Sequence, residues 1–106
     1  MFDFQNLGPL PESMKGTYDM LKCAFPEGIP DEEYKAFIGL LQPYMSNRAC
    51  AILLAHFFSQ SYFKSLSEVE EVWADGLSTE DEKRKEGVRQ KLLLCGYAKW
   101  LEEHDY

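Results

Sequence analysis

Apolar residues recur along this chain at three- and four-residue spacing, the pattern of helices that each bury one face. Met14, Tyr18, Leu21 and Phe25 form the first stripe and predict a helix over about 11–24. The stripe stops at Phe25-Pro26-Glu27-Gly28-Ile29-Pro30. Pro26 cannot continue a helix, and Gly28 supplies a permissive backbone for a turn with positive φ. Pro30 and Asp31 open a second helix. Proline has no amide to lose in a first turn, and Asp31, Glu32 and Glu33 complement the positive end of the helix dipole. Tyr34, Phe37, Ile38 and Leu41 form its buried face, and Pro43 ends or kinks it.

Ser46 or Asn47 caps a third helix of about a dozen residues. Ala49, Ile52, Leu53, His56 and Phe57 mark one face, yet Leu54 and Phe58 are apolar too. A helix apolar nearly all round belongs in the centre of the core. Residues 59–65 read as a loop or fraying end. Ser65 with Glu68 makes a capping-box pattern before a short fourth helix carrying Val69, Val72 and Trp73. Asp75-Gly76 signals a turn. Thr79 with Glu82 makes a second capping box, opening a long helix over about 79–95. Its acids stand in front (Glu80, Asp81, Glu82), and Val88, Leu92 and Cys95 form its stripe. Gly96 is placed to end that helix, and Tyr97, Trp100 and Leu101 to fold back onto the core. The pattern contains no repeat, low-complexity tract or strand. The expected fold is all-α: one compact domain of about five helices over residues 1–106. Residues 1–11 form a lead-in with Gly8, Pro9 and Pro11, either poorly ordered or an arm that Phe2, Phe4 and Leu7 pack on the domain, and residues 97–106 form a C-terminal tail.

Composition agrees with a packed core. The chain has 106 residues, one domain's length, of which 45% are apolar and 14% aromatic, enough to offset ordering entropy by burial. The net charge of -7 disfavours binding to nucleic acid or an anionic membrane, whose phosphates call for cations. It fits solubility, or a basic partner. Cys23, Cys50 and Cys95 are odd in number, widely spaced and without a C-x-x-C pair. They are therefore expected to be reduced, buried thiols in a cytoplasmic protein. The opening residues lack the basic and apolar regions of a signal peptide. The longest apolar run, Ala49 to Phe58, is about half of what a bilayer requires.

Candidate chemistry is sparse. Cys50 and His56 lie six positions apart on the third helix, about 600° of rotation, so they do not share a face. His56 is expected to be a satisfied core or near-surface histidine. His104 sits in a polar tail, Glu102-Glu103-His104-Asp105, and is expected to be solvated rather than metal-bound. Two distant histidines and three scattered cysteines give no zinc spacing. Asp31-Glu32-Glu33 and Glu80-Asp81-Glu82 fan around helix starts rather than converge. No EF-hand loop, phosphate-binding glycine loop or nucleophile elbow occurs. No catalytic, cofactor-binding or metal residue is assigned.

Lys83, Arg84, Lys85, Arg89 and Lys91 are the one basic concentration, able to meet phosphates but interleaved with acids such as Asp81 at salt-bridge spacing. The second and third helices, joined by Gln42-Pro43-Tyr44-Met45, have helix-turn-helix proportions, although 49–58 is too apolar for a recognition helix. Tyr62, Phe63, Trp73, Tyr97 and Trp100 lie near segment ends. They either complete the core or, if exposed together, form a protein-contact patch.

Ala24-Phe25-Pro26-Glu27-Gly28-Ile29-Pro30, followed by Tyr34 and Phe37-Ile38-Gly39-Leu40-Leu41, resembles the Y-P-E-G-V-P … L-L-A-L-L signature of a family of small, all-helical, mainly actinobacterial proteins of unknown function. Ala74-Asp75-Gly76-Leu77-Ser78, then Val88-Arg89-Gln90-Lys91-Leu92 and Gly96-Tyr97, looks like that family's T-D-E-L-P-S … V-R-x-R-L … G-W pattern. Tyr97 replaces the usual Trp, no proline follows Leu77, and the tail from Lys99 lies outside the pattern. The resemblance implies a compact helical domain and carries no activity, cofactor or catalytic residue. The functional expectation is a non-catalytic protein-interaction or regulatory domain without cofactor or membrane association, monomeric or homodimeric. The alternatives are a nucleic-acid module using the basic stripe and a small enzyme or ligand binder around His56.

Overall fold

A 3-10 turn at Glu12–Met14 runs into α1, Lys15–Ala24. Then come α2 (Asp31–Leu41), α3 (Asn47–Phe58), α4 (Tyr62–Asp75), α5 (Thr79–Leu93) and α6 (Tyr97–Glu103). The computed structural model describes residues 9–103. Phe2, Phe4, Leu7 and His104, for which an arm and a solvated tail are expected, lie outside the described residues. Within them the chain is all-α, with six α-helices rather than about five. The added one is α6. Gly96 turns the backbone at φ +94°, and Trp100 N–H donates to its carbonyl at 3.0 Å. The supposed tail thereby becomes a helix that buries Tyr97 and Trp100.

The helices pack chiefly as two pairs, α3 on α4 and α2 on α5, with α1 closing against α5. A continuous core threads all of them: Leu21, Phe37, Ile38, Leu54, Val69 and Leu92 are among its buried members. α3 is central, as its nearly continuous apolarity requires. Its buried arc is Cys50, Ala51, Leu53, Leu54, Ala55 and Phe57. Ile52 and His56, expected on the buried face, are only half-buried. Rotation by about 100° per residue centres the arc near Leu54 and turns those two side chains away.

The Phe25–Pro30 corner forms as expected. Gly28 adopts φ +96°, and its N–H donates to the Phe25 carbonyl at 3.0 Å. Pro30 stands just outside α2, at φ -58° and ψ 145°, rather than inside its first turn. No atom lies within 4 Å of a Cβ built on Gly28, so a side chain there meets backbone strain alone. Gly28→Val should cost about 1–3 kcal/mol, read as a lowered thermal midpoint. An unchanged midpoint would contradict this account of the turn.

Three local expectations are corrected. Residues 59–65 are not a loop. Ser59, at φ 52°, ends α3 sharply, and Ser61 starts α4 by accepting from the backbone N–H groups of Phe63 and Lys64. Ser65 is therefore an interior helix residue, fully buried, and does not cap. At α5 the cap is Ser78, not Thr79: its Oγ accepts from Asp81 N–H at 3.1 Å. In both places a serine preceding the capping-box pattern satisfies the orphan amides first. The third correction concerns the cysteines. Cys23 and Cys95 form a disulfide across Cα atoms 5.8 Å apart, and only Cys50 is the reduced, buried thiol expected of all three. Helix packing brings the end of α1 to the α5–α6 turn, a proximity that a spacing of 72 residues does not disclose.

Candidate interaction surface

The buried face of α4 is Ser65, Val69 and Val72. Gln42 Nε2 on the α2–α3 link donates to the Val69 carbonyl at 2.9 Å. The Tyr34 hydroxyl donates to Glu68 Oε1 at 2.7 Å, and Gln60 Nε2 donates to Ser65 Oγ at 2.8 Å. These part-buried bonds fix the rotation of α4 about its axis. That rotation determines which side chains point outward.

One edge of α4 carries an aromatic ridge. Tyr62, Leu66 and Trp73 fall within about 40° of one another around the helix, and Phe63 lies about 60° beyond Leu66. Trp73 is 70% exposed and Phe63 58%, high values for large aromatics, which are mostly buried. The Tyr62 and Phe63 rings meet edge to face at 5.5 Å. Glu70, Glu71 and Asp75 are exposed on the same helix, whose one basic side chain is Lys64. Around the helix Glu70 falls between Leu66 and Phe63, whereas Glu71, ion-paired with Lys35 at 3.8 Å, and Asp75 lie on the far side from Tyr62 and Trp73. Tyr97 and Trp100, grouped with these residues in the sequence, are instead buried and stack on each other at 5.8 Å.

The other candidates are dispersed. Cys50 faces the core while His56 is half-buried, and the two stand about 120° apart around α3. Burial pushes the Cys50 thiol up to about 12, which suppresses the reactive thiolate. Burial moves the His56 imidazole below its ordinary value. The basic stripe is tied to acids: Arg84 with Asp81 at 3.8 Å, Lys85 with Glu82 at 3.4 Å, Arg89 with Glu86, and Lys91 with Glu33 at 3.0 Å. Lys91 also lies over the Phe25 ring at 5.2 Å. Much of its positive charge is therefore neutralised locally.

Two clefts flank α6. One of about 460 Å³ is lined by Thr17, Asp19, Cys95, Lys99, Trp100 and Glu103, with the Trp100 indole N–H donating to Thr17 Oγ1 at 2.7 Å. The other, about 230 Å³, is bounded by Tyr44, Lys85, Arg89 and Tyr97. His56 lines neither. Among the described residues no three His, Cys, Asp or Glu converge as metal ligands, and no helix is long and apolar enough to cross a membrane.

These buried groups set a pH profile. Desolvation raises Cys50, and it raises Tyr34 with help from the Glu68 hydrogen bond. Desolvation also raises Tyr97. An acid with a raised folded pKa contributes stability below its unfolded value and loses it as pH rises. Stability should therefore fall once pH passes the unfolded cysteine and tyrosine values, from about 8.5 and about 10 upward. His56 acts on the other side: its lowered folded pKa makes stability fall as pH drops below about 6.5. Urea midpoints measured across this range should be highest between the two limits. A midpoint that kept rising above about pH 10 would contradict the assignment.

No protein-family model, curated protein or solved structure matches this chain.

Proposed function

We propose that this protein is a non-catalytic interaction module, belonging with the small helical proteins its Phe25–Pro30 turn resembles, that binds a basic amphipathic helix through the ridge on α4. The supporting observation is the exposure of Trp73 and Phe63 along one edge of a helix rigidly seated by Gln42 and Tyr34. Aromatics of this kind supply the buried centre of protein contacts. The partner's chemistry follows from charge. The net charge is -7, and Glu70, exposed within the ridge, is the acid placed to meet a cation there, Glu68 being bonded to Tyr34 and Glu71 to Lys35. A partner helix with an apolar stripe and flanking lysines or arginines would pack ridge into groove, meet Glu70 and be favoured by the chain's net negative charge. The neutralised basic stripe gives the nucleic-acid reading no comparable support, and neither cleft reaches His56. A cytoplasmic setting is part of the proposal. In that setting the Cys23–Cys95 disulfide would be a reversible bond facing a thiol pool rather than a permanent staple.

Titration of the isotope-labelled protein with a leucine-lysine amphipathic peptide tests the site. Amide shifts should concentrate at 62–75. Shifts concentrated on α5 or α6, or no saturable shifts, would overturn it.

A further inference from the structure

We infer that the Cys23–Cys95 bond is a thiol-exchange site, open to small thiols in the folded protein, whose cleavage releases α6 while the rest of the core stands. The two sulfurs have unequal surroundings. Cys23 is exposed at the last turn of α1, whereas Cys95 is half-buried between α5 and α6. A thiolate therefore reaches Cys23 more easily, and Cys95 is the leaving group. The cleft lined by Cys95 also presents the Lys99 ammonium, which favours a departing thiolate; Asp19 and Glu103 in the same cleft oppose it.

The chemistry closes with thiols alone. A thiolate forms a bond to Cys23 Sγ as the Cys23–Cys95 bond breaks, and Cys95 leaves as a thiolate that takes a proton from water. A second thiolate attacks the external sulfur of the mixed disulfide and frees Cys23, which is protonated in turn. Two thiols are oxidised to one small disulfide, and its two electrons reduce the protein bond. Cys50 takes no part, being fully buried and held as a thiol by desolvation.

The consequence is local because of what the bond joins. It ties α1 to the turn that enters α6, a helix of only 7 residues. Without it, α6 keeps the Trp100–Thr17 hydrogen bond, the Tyr44–Trp100 ring contact at 5.7 Å and the burial of Tyr97 and Trp100, but loses its covalent link to α1. Phe37, Leu54 and Val69 share one core with Tyr97 and Trp100 but sit on α2, α3 and α4, elements that the bond does not join.

Reduced glutathione at millimolar concentration, added to the intact protein in native buffer at low temperature, tests this. Mass spectrometry should find an adduct on Cys23, then free Cys23 and Cys95, with Cys50 unreacted. Hydrogen exchange should quicken most over 97–103, about tenfold or more beyond the acceleration that the lost global stability gives the amides of α2 and α3. Reaction only at urea concentrations that unfold the protein would overturn the inference. So would a first adduct on Cys95, loss of the helical signal on reduction, or unaltered exchange in α6. Because the readout lies on α6 and Cys23, failure here is distinguishable from failure of the α4 surface.

Discussion

Reduction of Cys23–Cys95 should lower the melting temperature by on the order of 20 °C. The bond closes a loop of 72 residues, most of the chain, so it removes a large share of the unfolded ensemble's freedom. The chain-entropy relation puts that at about 4 kcal/mol, a value that native-state adjustment would reduce rather than increase. A domain of this size moves by about 4–8 °C per kcal/mol. Circular dichroism melts with and without a phosphine reductant measure the shift, and Cys23→Ser with Cys95→Ser should reproduce it without reductant. A shift under about 5 °C would show that the unfolded chain gains little from losing the link.

Phe37→Ala should cost about 4 kcal/mol. Phe37 is fully buried on α2 and meets the Phe25 ring edge to face at 6.3 Å. It joins the Phe25–Pro30 corner to the centre of the core. Removing the ring forfeits its transfer energy and leaves a cavity between elements whose backbones are already held at both ends. Urea unfolding should show a lower midpoint with an unchanged slope. Phe37→Leu should lose much less, since most of the volume remains. A loss below about 1 kcal/mol for the alanine variant would mean that the corner is not packed as described.

The helices were legible in the chain because local chemistry sets them. Pro26, Gly28 and Pro30 punctuate the first half, and the stripes at Leu21, Phe37 and Leu92 name core residues that are indeed buried. Capping was less legible. Two S/T-x-x-E patterns compete with Ser61 and Ser78, one position or more upstream, and only the backbone geometry decides which serine accepts. The ridge on α4 was half legible. Trp73 and Phe63 fall outside strong stripes, as do Tyr97 and Trp100, yet the first pair is exposed and the second buried. Gly96 signalled that Tyr97 and Trp100 fold back onto the core, as they do, whereas the exposure of Trp73 and Phe63 depends on the rotation of α4, a tertiary outcome without a local signal. The disulfide was illegible for the same reason: an odd cysteine count and wide spacing favour free thiols, and proximity arises only once α1 meets the α5–α6 turn.

The role of α4 is tested most directly by calorimetric titration of the leucine-lysine peptide into the wild type and into Phe63→Ser/Trp73→Ser. Both side chains are exposed, so the double variant should keep its fold and melting temperature. The account predicts saturable 1:1 binding to the wild type, weakened at least about tenfold by the two substitutions and by exchanging the peptide's lysines for glutamates. Undiminished binding by the folded double variant, or no saturable binding by the wild type, would contradict it.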